Sequence, residues 1–247
     1  MTVQTRYIHG IIEEPEIKKF TYRGLEDAEV YTINYQSLAA VVSSTVLNDM
    51  DPTRKNVLAH TLVQDELLKK YTLLPMGFGT IASSEDHVRK LLEKNHDGLV
   101  KELHRLSGKI EAELKIFWDE KALMAENQEF LTKMKARIKS ASSPVEAQSL
   151  AIEAGMSIER IIRSWKTTYA DRIYNALKVT AIDAKMNAPA GVKSLLNASF
   201  LIDRTKENEF VEQVRRLDLE YRGRMNFKYV GPLSPYNFIG IKLETVH

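Results

Sequence analysis

Between about Ser157 and Met186 apolar residues recur at three- and four-residue steps: Ile158, Ile161, Ile162, Trp165, Tyr169, Ile173 and Leu177. This is the spacing of one helix face. A helix over that stretch would be roughly 45 Å long at 1.5 Å per residue. A compact domain of ordinary size does not enclose such a rod, so it must project, curve, or pack back on a second helix near residues 120–139. Upstream, Ser143-Pro144-Val145-Glu146 has the form of a capping box, with the Ser oxygen facing the N3 amide and Glu146 reaching back.

Strand patterns flank this helix. Glu113–Trp118 alternates polar and apolar residues, as in a half-buried strand. After Asn187-Ala188-Pro189-Ala190-Gly191 closes the helix, Leu195–Ile202 and Met225–Val230 read as strands, with a helix burying Phe210, Val214 and Leu217 between them. The order β–α(long)–β–α–β is most of a ferredoxin-like βαββαβ unit with one strand missing or displaced.

The first third is organised differently. Tyr7–Ile12 is a short β-branched and aromatic strand stopped by Glu13-Glu14-Pro15-Glu16, and Val30–Tyr35 with Leu38–Ser43 forms a hairpin turning near Gln36 and Ser37. Asp51-Pro52 offers an N-cap followed by Pro at the first helical position. The helix behind it can bury Val57, Leu58, Thr61, Leu62 and Leu68. An apolar strand broken by Pro75, Gly77 and Gly79 follows. A helix capped by Ser83 or Ser84 then buries Val88, Leu91, Leu92, Leu99, Leu103 and Leu106, with Gly98 its weak point and Gly108 its stop. The sequence therefore predicts an α+β chain of two domains: residues 1–108, a mixed sheet with helices, and residues 109–247, a modified ferredoxin-like unit with a long helical insertion.

Composition narrows the function. Basic and acidic residues number 35 and 33, for a formal charge of +2. They are interspersed as solvated helix faces are, without the concentrated positive face of a nucleic-acid binder. The chain has no cysteine, which excludes disulfides, thiolate metal sites and a Cys nucleophile. The first residues lack the charged-then-apolar pattern of a signal peptide, and no stretch approaches the roughly 18 apolar residues of a membrane span. A cytoplasmic protein is expected.

Motifs for chemistry are absent. There is no P-loop or dinucleotide fingerprint, no His-Glu-x-x-His helix and no Gly-x-Ser-x-Gly elbow. His87, His96 and His104 share one helical stretch, but eight residues between the last two place them roughly 11 Å apart along the axis. That is too far for shared metal ligation. His9 and His60 can meet only through tertiary contact, and His60, near Asp65 and Glu66, is the histidine expected to make a structural hydrogen bond. No catalytic residue, cofactor or metal ligand is assigned.

Two segments stand out, Leu74-Pro75-Met76-Gly77-Phe78-Gly79-Thr80 and Val230-Gly231-Pro232-Leu233-Ser234-Pro235-Tyr236-Asn237-Phe238. Each combines Pro, Gly and an aromatic beside a strand, which forces a defined bend. Such a bend either turns Phe78 or Phe238 into the core or presents a rigid aromatic platform to a partner.

The first segment resembles the Leu-Pro-x-x-Phe-Gly-Thr signature of the gas vesicle protein L/F family, and the second resembles that family's Gly-Pro-x-x-Pro-Tyr-x-Phe ending. Tyr7–Ile11, Leu38–Ser43 and Leu195–Ile202 match in family order, so the resemblance spans nearly the whole chain. Met76-Gly77 stands where the family often has a residue followed by Arg, and Leu233 where it often has Trp. The resemblance implies a minor structural or assembly component of gas vesicles, without enzyme activity or cofactor. It would contact the small hydrophobic shell protein and other gas vesicle accessory proteins. Candidate contact residues are then Phe78, Pro232, Leu233, Pro235 and Tyr236. Two other functions compete. One is a ferredoxin-like small-ligand-binding or regulatory protein. The other is RNA binding at Arg222–Phe227, where paired strand aromatics are not evident.

Overall fold

The computed structural model describes residues 4–47 and 49–244. The chain is α+β, with two sheets and helices. It forms two compact units, one of Met1–Glu111 with Pro232–His247 and the other of Ala112–Gly231. Division near Gly108 places Pro232–His247 in the second domain. In the structure its described part, residues 232–244, packs with the first unit.

In the first unit β1 (Thr5–Glu13), β2 (Lys19–Arg23), β3 (Glu29–Tyr35) and β4 (Leu38–Thr45) precede α1 (Arg54–Leu68). Two short strands follow, β5 (Leu74–Pro75) and β6 (Ile81–Ala82), and then α2 (Glu85–Lys94) and α3 (His96–Leu106). The sheet order is β2-β3-β4-β1-β5, with β6 also on β1. Tyr35 pairs with Leu38, so the hairpin turns on Gln36 and Ser37, with Gln36 at φ 51°. The predicted helix over 85–106 is two helices, broken at Asn95 (φ −105°, ψ 8°). Ser84 caps the first by accepting from the His87 amide.

Side-chain alternation on β3 assigns the helices to opposite sheet faces. Tyr31 and Tyr35 bond Glu85 and Glu93 of α2, whereas Val30 clusters with Val63 and Leu67 of α1. Central strand β1 carries a bulge. The register passes from Ile8↔Val42 to Gly10↔Val41, so one extra residue is inserted. Tyr7 and Ile12, five positions apart, would otherwise face opposite ways. With the bulge, Ile12 joins the Val63–Leu67 cluster and Tyr7 bonds His60, another α1 residue.

Helix α1 corrects two expectations. Its cap is Thr53 rather than Asp51; Thr53 is extended (φ −64°, ψ 153°) and its hydroxyl accepts from the Asn56 amide. Its buried face is His60, Val63, Leu67 and Leu68, while Val57, Leu58 and Leu62 remain exposed. A reading of apolar spacing misses this face because it includes a histidine, which is buried only because its ring nitrogens are satisfied.

The second unit is built on β7 (Lys109–Trp118, entering this unit at Ala112), α4 (Glu120–Glu126), α5 (Gln128–Lys139) and α6 (Pro144–Trp165). A π-helical turn at Lys166–Ala170 leads into α7 (Asp171–Lys178), followed by β8 (Asp183–Met186), β9 (Ser194–Asp203), α8 (Glu207–Glu220) and β10 (Met225–Leu233). The sheet order is β10-β7-β9-β8. The predicted helix to Met186 ends at Lys178 instead, and Asp183–Met186 pair antiparallel with Ala198–Leu201. Asp183–Met186 is thus a strand where the sequence predicts helix. Helix α6 packs back on α5, with Arg137 3.1 Å from Glu153. Phe200 stacks obliquely on Phe210 at 5.2 Å and lies 5.8 Å from Tyr174, joining β9 to α8 and α7.

Candidate functional site

The Leu74–Thr80 segment forms a loop clipped to β1 at both ends. Pro75 and Leu74 pair with Gly10 and Ile11, and Ile81 pairs with Tyr7. Between them the Met76 amide donates to the His9 carbonyl at 3.1 Å, and the Ile8 amide donates to the Thr80 carbonyl at 2.8 Å. The Thr80 hydroxyl donates to the Gly77 carbonyl at 2.7 Å, closing the turn.

Beneath the loop lies a buried polar chain. The Gly79 amide donates to Tyr7 Oη (3.1 Å), Tyr7 Oη lies 3.0 Å from His60 Nδ1, and His60 Nε2 lies 3.2 Å from the Met76 carbonyl. A carbonyl can only accept, so His60 carries its proton on Nε2, and its Nδ1 accepts the hydrogen bond that the Tyr7 hydroxyl donates. Gln64 adds donors to the His9 and Met76 carbonyls at 2.8 and 3.0 Å. The His9 ring stacks on His60 at 5.7 Å and bonds Ser43 Oγ at 3.1 Å. The expected structural hydrogen bond of His60 is thus made to Tyr7 and Met76.

Both histidines are buried in the unit. Burial pushes His9 down to about 3, with the neighbouring His60 adding to the effect. Burial also lowers His60, against the opposing hydrogen bond to Met76, and it raises Tyr7. The Tyr7–His60 pair has the contact of a hydroxyl and a base, but no surface of Tyr7 is exposed to a substrate. Its role is to hold the loop. Tyr7→Phe leaves the Gly79 amide and His60 Nδ1 without partners in a buried site, and is expected to cost about 2 kcal/mol. Urea denaturation measures this, and an unchanged midpoint would refute the assignment.

The second segment comes to the same place. At the end of β10 Pro232 is exposed and Leu233 half-buried; beyond it Pro235 and Phe238 are buried and Tyr236 is exposed. The turn at Tyr236–Phe238 is anchored by buried Glu111, which accepts from the Asn237 amide (2.8 Å) and side chain. A Cβ on Gly77 would stand 3.1 Å from Tyr236 Oη, so the two motifs are in contact. Together they open onto an apolar cavity of about 290 Å³, lined chiefly by Leu74, Pro75, Met76, Leu99, Tyr236 and Ile241.

Of the five candidate contact residues only Tyr236 lines this cavity. Phe78 packs edge-on against Tyr7 (6.1 Å) and His60 (5.8 Å), half-buried. Pro235 is scaffold, and Pro232 and Leu233 lie along the end of β10. The lining residues Ile239, Ile241 and Leu243 do have a sequence signal, the alternation Ile-Gly-Ile-Lys-Leu-Glu from 239 to 244. Among the described residues no group of His, Asp and Glu is placed to hold a metal ion, and no helix is long and apolar enough to cross a membrane.

A family model described as gas vesicle synthesis protein GvpL/GvpF matches residues 5–240. Gas vesicle protein F of Nostoc sp. is 26% identical over 238 residues, covering 95% of this chain and 98% of that protein. Gas vesicle protein F of a Streptomyces species is 29% identical over 207 residues, covering 82% and 84%. The crystal structure of GvpF from Anabaena sp. superposes with a TM-score of 0.80 at 24% identity, covering 99% of both chains. That of GvpF from Microcystis aeruginosa gives 0.78 at 22%, covering 97% of this chain and all of that one. At these identities the solved structures speak for the fold alone.

Proposed function

This chain belongs to the gas vesicle synthesis protein GvpL/GvpF family, and from that premise we propose that it is a non-catalytic structural or assembly component of gas vesicles. It works in the cytoplasm, at the vesicle, by binding the small hydrophobic shell protein and other accessory proteins. One observation carries this reading. The two Pro/Gly/aromatic segments, 150 and more residues apart in the chain, meet at one apolar cavity with Tyr236 half-exposed at its mouth. An aromatic with few rotatable bonds beside an apolar recess is a favoured contact anchor. Exposed Val57, Leu58 and Leu62 on α1 add an apolar stripe suited to the same kind of partner. Pro232, Leu233 and Phe78 contribute shape around the anchor, and Pro235 holds the turn.

We read the chain as two domains, the second ferredoxin-like. Its β–α–β–β–α–β element order, with the helical insertion at α4–α7, and its strand order support this.

The test is co-purification of the shell protein with the full-length chain. Tyr236→Ala is expected to reduce shell protein recovery by about tenfold or more, the effect of losing an aromatic anchor, with the thermal transition unchanged. Full recovery with the variant would discard Tyr236 as the anchor, and no association by the native chain would discard the partner.

A further inference from the structure

The segment from Tyr236 to Glu244 is seated as a bound peptide would be. Ile239, Ile241 and Leu243 line the cavity, while Gly240, Lys242 and Glu244 between them are exposed. That is the period-two alternation of an extended chain, with side chains entering pockets at every second position. Its backbone is read by buried polar side chains rather than by a neighbouring strand. Glu111 accepts from the Asn237 amide, Glu102 from the Gly240 amide, and Asn95 from the Glu244 amide at 2.8 Å. Asn95 also donates to the Glu244 carbonyl at 3.2 Å, and Arg105 donates to the Phe238 carbonyl. Glu111, Glu102 and Asn95 are each more than nine-tenths buried.

The groove has a further device for a bulky aliphatic side chain. Gly98 lies inside α3, where glycine weakens a helix. A Cβ there would stand 2.8 Å from Ile241 Cδ1, so the missing side chain is the seat of Ile241. Buried main-chain readers, a glycine seat and room left over at Tyr236 together describe a recognition groove rather than simple tail packing.

We propose that the groove between α3 and the Leu74–Thr80 loop recognises an extended segment of a partner protein bearing branched aliphatic residues at alternate positions, and that residues 239–244 occupy it in cis as an exchangeable strap. The partner's chemistry is taken from the segment that already fits, Ile-Gly-Ile-Lys-Leu-Glu. The strap sets a threshold, since an incoming segment must compete with one tethered at high local concentration. The Asn237–Glu111 anchor remains in place while the strap leaves. This gives a regulation to the contact surface proposed above and rests on that reading.

The probe is a labelled synthetic peptide of residues 239–247, titrated against the full-length chain by fluorescence anisotropy. An Ile241→Asp/Leu243→Asp chain, whose own strap is disfavoured, is expected to bind it at least tenfold more tightly than the native chain. Adding Gly98→Val to that variant is expected to abolish binding. Equal binding to native and strap-released chains overturns the proposal, as does no binding to a released chain with a native-like circular dichroism spectrum and thermal transition. Native chain dimerising through this segment would give the groove to a second copy and overturn it too. Hydrogen exchange on the native protein needs no variant. The Gly240 and Glu244 amides should exchange at least tenfold faster than those of β1 and β4, and equal protection would refute exchange of the strap. None of these readouts involves the shell protein. Loss of its co-purification alongside intact peptide binding would sink the partner assignment alone.

Discussion

Gly10→Ala is expected to lower the stability of the first unit by about 3 kcal/mol, at the upper end for overpacking a close-packed site. The added Cβ would stand 2.5 Å from Leu73 Cδ1 and 2.9 Å from the Leu74 carbonyl oxygen. A side chain can sometimes turn aside, but Leu73 has no exposed surface and sits in the cluster of Ile12, Val63 and Leu67. The carbonyl belongs to the backbone of β5, which pairs with β1 at Gly10↔Pro75 and Ile11↔Leu74. To admit the methyl, β5 must move off β1, taking with it the Met76–His9 hydrogen bond and the cavity wall at Leu74 and Pro75. Urea denaturation gives the stability loss, and co-purification of the shell protein should fall with it. A midpoint within error of the native chain would show that the close approach is not obligatory.

The second large effect is acid sensitivity above the range where most carboxylates titrate. His9 is buried with its pKa lowered to about 3, and His60 is lowered as well. An unfolded histidine titrates near 6.5, so between the two values the unfolded chain binds more protons. Stability is therefore full above about pH 6.5 and falls as the pH drops toward 3. From His9 alone the loss is about 2 kcal/mol at pH 5 and about 3 kcal/mol at pH 4; His60 acts in the same direction. Structure adds a reason for His60. Protonated, its Nδ1 would donate, and Tyr7 could no longer give its proton there while receiving the Gly79 amide. Urea midpoints at pH 7.5 and pH 5 measure the effect, and a His9→Leu chain should show a flatter dependence. A native midpoint that is constant or rises between those values would be incompatible with two buried neutral histidines.

The two effects meet in the same few residues, because the bulge at His9 and Gly10 is where the sheet, the loop and α1 are joined. Tyr7, His60 and Met76 are 53 and 16 residues apart in their successive contacts. No periodicity links them, so the sequence marked His60 for a hydrogen bond but pointed to Asp65 and Glu66 as its neighbours. The same blindness turned α1 through to its wrong face. Apolar spacing favoured Val57, Leu58 and Leu62, and the buried row runs instead through His60, Val63 and Leu67.

What the sequence determined by itself is what short-range physics controls. Period-two and three-to-four-residue spacings placed the β3–β4 hairpin, a helical stretch over 85–106 without its break at Asn95, and the strands at 195–202 and 225–230. A serine cap at 83 or 84 was legible by type and place, and the structure selects Ser84. The two Pro/Gly/aromatic segments were recognisable because each bends the chain through its own residues. Only tertiary structure decided where the long helical pattern stops, since Asp183–Met186 becomes a strand by pairing with β9. It also decided that the C-terminal segment packs with the first unit. That placement depends on Asn95, Glu102 and Glu111 accepting amides from 126 to 149 residues away. Carboxylates and amides in a helix or strand read locally as solvated. They are buried here because a distant backbone supplies their hydrogen bonds, and burying them without it would be costly.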